Sequence, residues 1–208
     1  MEIELKYMIS DPEVADRIWE DSQLKSLEEK GSRGRNAFNG TYFDTEDHIL
    51  FKNDIAFRLR EEGKKLVASL KWNGENQGPL HKREELNINL GEGKMPETPD
   101  PTVFSQSDEG IDMMDLLGEK ELKCMMQVNV LRKSFRVDMG DSIVEISLDD
   151  GEIITEDGKE PVCELEIELF SGEETDLIKL GEQLQERYDL KPEKDSKFAR
   201  GLKLLGMI

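Results

Sequence analysis

Two groups of side chains with opposite charge recur at alternate positions along this chain. Glu2 and Glu4 alternate near the start, with Lys6 next in the same series. Glu164, Glu166 and Glu168 alternate near residue 166, separated by Leu165 and Ile167. Arg58 and Arg60 alternate in the run Ala56 to Arg60, and Lys71, Arg83 and Arg132 fall in other strand-like runs. Lys197 and Arg200 lie in a helical pattern close to the end. Residues at i and i+2 of a strand share a face, and like charges there repel. A file of glutamates is therefore costly unless a cation compensates it. Mg²⁺ and Mn²⁺ are suited to that role, because both favour hard oxygen ligands and can share them with phosphate. The arginines and lysines are suited to gripping phosphate oxygens.

These residues need strands to position them, and the hydrophobic periodicity supplies strands. Glu2 to Ile9 alternates strictly, with Ile3, Leu5 and Tyr7 opposite the charged set. Further strand patterns cover Gly40 to Asp44, Ile55 to Glu61, Leu66 to Trp72, Leu80 to Leu90, Met125 to Val137, Ser142 to Asp149 and Val162 to Phe170. Gly63, Asp150-Gly151 and Asp157-Gly158 mark turns. Asp11 and Pro12 open a helix that Gly31 can stop. Residues 91–110 read as an exposed loop, with a short helix near Met113 to Leu117. Gly172 to Tyr188 and Lys197 to Leu205 read as helices. The pattern predicts an α+β fold, an antiparallel β-barrel of about eight strands with helices packed outside. Its charged faces turn inward around a wet bore. An ordinary sheet with one solvated face is the competing account.

The bulk composition limits what such a bore can serve. Hydrophobic and charged residues each make up 36%, and apolar residues are spread throughout, so a folded chain is expected rather than a disordered one. With 47 acidic and 28 basic residues the net charge is −19. That sign argues against nucleic acid and against an anionic membrane surface as partners. Cys124 and Cys163 are too few and too far apart for a zinc motif and read as reduced thiols. No apolar run is long enough to span a membrane, and the expected location is cytoplasmic. His48 and His81, the two histidines, lack the converging partners of a histidine-based site. Tyr42 and Phe43 are expected to pack on the outer face, and Trp19 to hold the first helix to the barrel.

Glu2-Ile3-Glu4-Leu5-Lys6 resembles the ExExK signature of the CYTH superfamily, the triphosphate tunnel metalloenzymes. Thr41 to Thr45, Phe57 to Arg60, Ser69 to Lys71, His81 to Glu85, Ser147 to Gly151, Pro161 to Leu169 and Ser196 to Gly201 match in the same order. The closest likeness is to the CYTH domain of bacterial inorganic triphosphatases, as a single CYTH-like domain over 1–208 without the helical CHAD domain that follows it in several of them. The resemblance implies an eight-stranded tunnel, Mg²⁺ or Mn²⁺, and hydrolysis of a small triphosphate by a monomer or homodimer. It assigns metal to Glu2 and Glu4 and to the closing strand, where Glu166 and Glu168 fit best and Glu164 with Glu166 is the other register. Asp149 and Glu145 are candidates for supporting the metal, and Ser147 stands where a family ligand is expected. Lys6, Arg58, Arg60, Lys71, Arg83, Arg132, Lys197 and Arg200 correspond to phosphate-binding residues. Glu2, Glu85 and Lys197 are the candidates for work on water and leaving group. Thiamine triphosphate, nucleoside triphosphates, cyclisation of ATP, and polyphosphate binding without catalysis are the alternatives. The cyclase reading is disfavoured, because no His-Phe pair precedes Glu2.

Overall fold

A computed structural model describes residues 1–208. Eight long antiparallel strands close into a barrel. They are β1 (Glu2–Met8), β2 (Gly34–Asp44), β3 (Ala56–Glu62), β4 (Lys65–Gln77), β5 (Leu80–Glu92), β6 (Lys123–Asp138), β7 (Ile143–Thr155) and β8 (Gly158–Ser171). The order is β5-β4-β3-β2-β6-β7-β8-β1, and β1 returns to β5 through Glu2↔Arg83 to Leu5↔Leu80. A two-residue strand, β9 (Lys191–Pro192), adds to β1 beyond that contact. Closure removes the open edges a flat sheet would present.

The apolar faces of the strands turn outward onto helices. Leu5 and Tyr7 of β1, with Ile146, Leu148, Leu165 and Ile167, pack against α1 (Pro12–Trp19), α2 (Ser22–Ser26) and α5 (Glu174–Tyr188). Trp19 is buried and meets Phe135 edge-on at 5.6 Å, the packing role expected of it. Phe57, Leu59, Leu66 and Leu70 pack against α3 (Ile49–Lys52), a 3₁₀ turn (Pro101–Phe104) and α4 (Asp108–Leu117). No helix is long and apolar enough to cross a membrane.

Several boundaries differ from the sequence reading, each for a local reason. The helix expected from Pro12 to Gly31 is two helices, because the Asp21 carboxylate accepts from the Leu24 amide at 2.8 Å and starts a second one. β2 begins at Gly34 rather than Gly40: in the run Arg35 to Asn39 the two apolar residues, Ala37 and Phe38, are adjacent and do not alternate, but the run pairs along β6. β4 continues to Gln77 through an irregularity between Trp72 and Glu75.

The sixth helix, α6 (Lys197–Leu204), packs over one end of the barrel. Side chains alternate along a strand, so Ala56 shares the face of Arg58, Val128 and Val130 that of Arg132, and Val162 that of Glu164. These apolar residues form one cluster with Met126, Ile153, Tyr42 and Leu202, and Phe198 packs against it. One end of the barrel interior is therefore apolar and closed by α6, and the remainder is charged. The contact is tight: a Cβ at Gly201 would lie 2.2 Å from Met126 Sδ and 2.8 Å from its Cε. Overpacking of this kind costs roughly 1–3 kcal/mol. Gly201→Val is expected to lower stability by about that amount in urea titration, and an unchanged midpoint would show that α6 does not pack so closely.

Candidate functional site

The charged part of the interior is a cavity of about 310 Å³. Eight lysines and arginines and seven glutamates line it, with three hydrophobic residues. The chain as a whole carries −19, so this space is locally balanced while the remaining surface is strongly acidic.

β1 supplies Glu2, Glu4 and Lys6 on its inner face, and β8 supplies Glu166 and Glu168 opposite. Glu4 pairs in register with Glu168, and Lys6 with Glu166. Lys6 Nζ lies 2.8 Å from Glu4 Oε2 and also bonds Glu166. Glu166 is further held by Lys197 Nζ at 2.8 Å and by Arg132. Burial opposes the charge on Glu166, but Lys197, Lys6 and Arg132 outweigh it and keep this carboxyl well below its ordinary value. Glu2 is similar: burial opposes ionisation, yet Lys71 Nζ at 2.7 Å lowers it to about 2.

Glu4 and Glu168 go the other way. Burial raises Glu4, and the neighbouring Glu2 and Glu166 carboxylates add to that. Burial and the charges of Glu2 and Glu4 push Glu168 up to about 7, and it has no hydrogen-bond or ion-pair partner. The acidic wall therefore carries more negative charge than its lysines offset.

The basic wall shows the mirror image. Arg58, Arg60 and Arg132 are close enough that burial and the other two guanidiniums lower Arg60 below its ordinary value, despite a bond to Glu62 at 2.8 Å. Arg58 donates to Ser69 Oγ at 3.3 Å and stays 3.7 Å from Glu85, and its buried Nε has no partner. Arg83 forms no ion pair and lies over Gly74, where a Cβ would meet its guanidinium at 2.5 Å. Lys71 reaches Glu85 at 3.2 Å, which places that carboxylate between the two walls.

Four of the sequence candidates stand elsewhere or differently. Arg200 does not reach the cavity: it bonds Glu160 at 2.6 Å, the Pro161 carbonyl at 2.7 Å, and Glu164. Glu164 has no exposure and is enclosed between Arg200 and Lys197, below the cavity floor. Asp149 is buried behind Arg132 and Lys197, at 2.7 and 2.8 Å, and props both cations. Ser147 is buried beside Glu166 in the β7–β8 register, and Glu145 lines the cavity. Tyr42, expected outside, points inward and stacks on Phe198 with ring centroids 4.9 Å apart. Phe43 takes the outer face. His81 and Asn87 also line the cavity. His81 and Asn87 continue the alternation of Arg83 and Glu85 at its two ends, so the place of each was legible from spacing.

The donors on the acidic wall are all carboxylate oxygens, and their uncompensated charge around Glu168 fits a hard divalent cation. No three carboxylates are already gathered into a ligand set. Lys6 and Lys71 stand among them, so a cation has to compete with those ammonium groups.

The unpaired charge on Glu168 has a measurable cost. Its folded pKa, about 7, lies above the ordinary value of 4.5, so the folded state holds the proton between these limits and loses stability as pH rises through them. Glu168→Gln is expected to stabilise the metal-free protein at pH 8 by on the order of 2 kcal/mol and to have a much smaller effect at pH 5. Urea titration at the two pH values checks this, and equal effects at both would show that Glu168 is not crowded.

Comparison with known proteins agrees with this architecture. The family model described as the CYTH domain matches residues 1–202. The chain is 34% identical over 173 residues to an inorganic triphosphatase of Haemophilus influenzae, covering 83% of this chain and 47% of the relative. It thus spans about half the length of that curated relative. Among solved structures, a Hippeastrum protein described as a candidate adenylyl cyclase that reveals a dominant triphosphatase activity superposes with a TM-score of 0.71 at 20% identity, over 100% of this chain and 97% of the other. A Pyrococcus horikoshii protein superposes with a TM-score of 0.57 at 18% identity, over 98% and 99% of the two chains. At such identities these likenesses concern the fold alone. By the match across almost all its residues, this chain belongs to the CYTH domain family.

Proposed function

We propose that this chain hydrolyses inorganic triphosphate to pyrophosphate and phosphate, with Mg²⁺ or Mn²⁺, in the charged cavity of the barrel. The observation that carries the reading is the separation of surplus charge: on one side Arg83 forms no ion pair and Arg58 reaches only Glu85, at 3.7 Å, with its Nε unpaired, and on the other Glu168 lacks a cationic partner. A polyphosphate anion together with a divalent cation satisfies both. The similarity to an inorganic triphosphatase supports the choice of substrate.

Glu2, Glu4, Glu166 and Glu168 would hold the metal, which when bound supplies positive charge against the phosphate oxygens. Arg58, Arg60, Arg83 and Arg132, with Lys6 and Lys71, bind and align the phosphate chain. Phosphoryl transfer needs water in line with the breaking anhydride bond and compensation of charge on the oxygens around phosphorus. Glu85, beside Lys71 and Arg58, would orient that water and take its proton; Glu2 is the other carboxylate in reach of Lys71. The water oxygen bonds to the terminal phosphorus as the bridging P–O bond breaks, and the electron pair leaves with pyrophosphate. Lys197, whose folded state strongly favours the ammonium form because Asp149, Glu164 and Glu166 outweigh the cost of burial, supports the leaving oxygens. Exclusion of bulk water by the apolar end strengthens each of these charge contacts.

Phosphate release from tripolyphosphate, ATP, thiamine triphosphate and pyrophosphate, each with Mg²⁺ and with Mn²⁺, tests the reading. Tripolyphosphate is expected to be the best substrate. Binding without release would instead identify a polyphosphate-binding module. Glu4→Gln and Glu166→Gln are each expected to lower metal-dependent release at least about 100-fold while the circular dichroism spectrum is retained. Near-normal rates in both variants would remove these residues from the site.

A further inference from the structure

Lys197 is the one cavity lysine that no barrel strand carries. It arrives on a strap, residues 190–196, laid across the ends of β1 and of the β4–β5 hairpin. β9 pairs with Tyr7 and Met8, and the Glu193 amide donates to the Lys6 carbonyl at 2.9 Å. Asn76 Nδ2 donates to the Lys194 carbonyl at 3.2 Å. His81 Nε2 lies 2.9 Å from the Glu193 carbonyl oxygen. A carbonyl oxygen only accepts, so the ring nitrogen is the donor and the proton resides on Nε2. His81 is 5% exposed, so water does not freely replace that bond. The strap then ends in Ser196, whose hydroxyl caps the Ala199 amide at 3.1 Å, and Lys197 opens α6. Its Nζ stands 2.8 Å from Asp149, Glu164 and Glu166.

We propose that His81 is a positioning residue: by donating to the Glu193 carbonyl it pins the strap and so sets the Lys197 ammonium at the cavity wall. Its side chain borders the cavity, but the nitrogen known to donate is already committed to the strap. Only three residues separate Glu193 from Lys197, too short a link to absorb movement of the strap without moving the ammonium. The activity readout of this proposal rests on the hydrolysis proposed above; a second readout, hydrogen exchange, does not.

The test uses the full chain with His81→Phe and His81→Gln, alone and combined with Lys197→Ala. His81→Phe is expected to raise amide exchange across residues 190–197 about tenfold and to lower kcat/KM for tripolyphosphate by about the same factor. His81→Gln, whose amide keeps a donor near the Nε2 position, is expected to stay within about threefold of wild type in both. In the Lys197→Ala background, His81→Phe is expected to cost nothing more, because both changes remove one function. Unchanged exchange in folded His81→Phe would overturn the proposal. So would a full loss persisting in the Lys197→Ala background, which would mean that His81 touches phosphate itself. The nitrogen NMR spectrum of wild type needs no variant: a proton on Nε2 is expected, and one on Nδ1 alone would overturn the proposal even if His81→Phe did not fold. If wild type releases no phosphate, the hydrolase reading fails and the exchange data still decide on His81.

Discussion

The constraint on which this structure depends is the enclosure of like charges on adjacent strand faces. Glu2, Glu4 and Glu168 share one wall, and Arg58, Arg60 and Arg132 share another. In water such neighbours would repel weakly, and in a partly dehydrated interior they repel strongly. The barrel tolerates them through ion-pair ties, Lys6 to Glu4 and Glu166, Lys71 to Glu2 and Glu85, and Lys197 and Arg132 to Glu166. Those ties are incomplete, and under the proposed function the unbalanced charge at Glu168, Arg58 and Arg83 is where a metal and a polyphosphate would add most.

Such a site needs a scaffold that does not relax. Closure of β1 on β5 fixes the distance between the walls, and the outward apolar faces are clamped by helices on two sides. The apolar interior cluster with α6 blocks one end, and the charged cavity lies on the other side of it. α6 has two roles in this arrangement. Its Phe198 and Leu202 close the barrel, and its first residue, Lys197, enters the charged network. The strap that leads to it couples the position of that lysine to β1 and β5.

Much of this was legible in the sequence because strand alternation sorts side chains to two faces. The series Glu2-Glu4-Lys6, Arg58-Arg60, Arg83-Glu85 and Glu166-Glu168 all reach the cavity as their spacing predicts. Spacing alone has no information on depth along the bore, and here it misleads. Glu164 shares the face of Glu166 but lies below the floor, and Arg200 meets Glu164 and Glu160 there instead of phosphate. Asp149 likewise faces inward but supports cations without lining the cavity. The inward turn of Tyr42 was hidden because its partner, Phe198, is far away in the sequence. The role of α6 as an interior closure was hidden for the same reason: Met126, Ile153 and Leu202 read as ordinary core until the barrel brings them together.

Whether opposed surpluses of charge are filled by metal and triphosphate is settled most directly by a crystal structure with Mn²⁺ and tripolyphosphate, using anomalous scattering to locate the metal. The account predicts a manganese peak coordinated by Glu4 and Glu168, with phosphate oxygens on Arg58 and Arg83 across the bore. Manganese and phosphate bound on the outer surface, with the interior ion pairs unchanged, would contradict it.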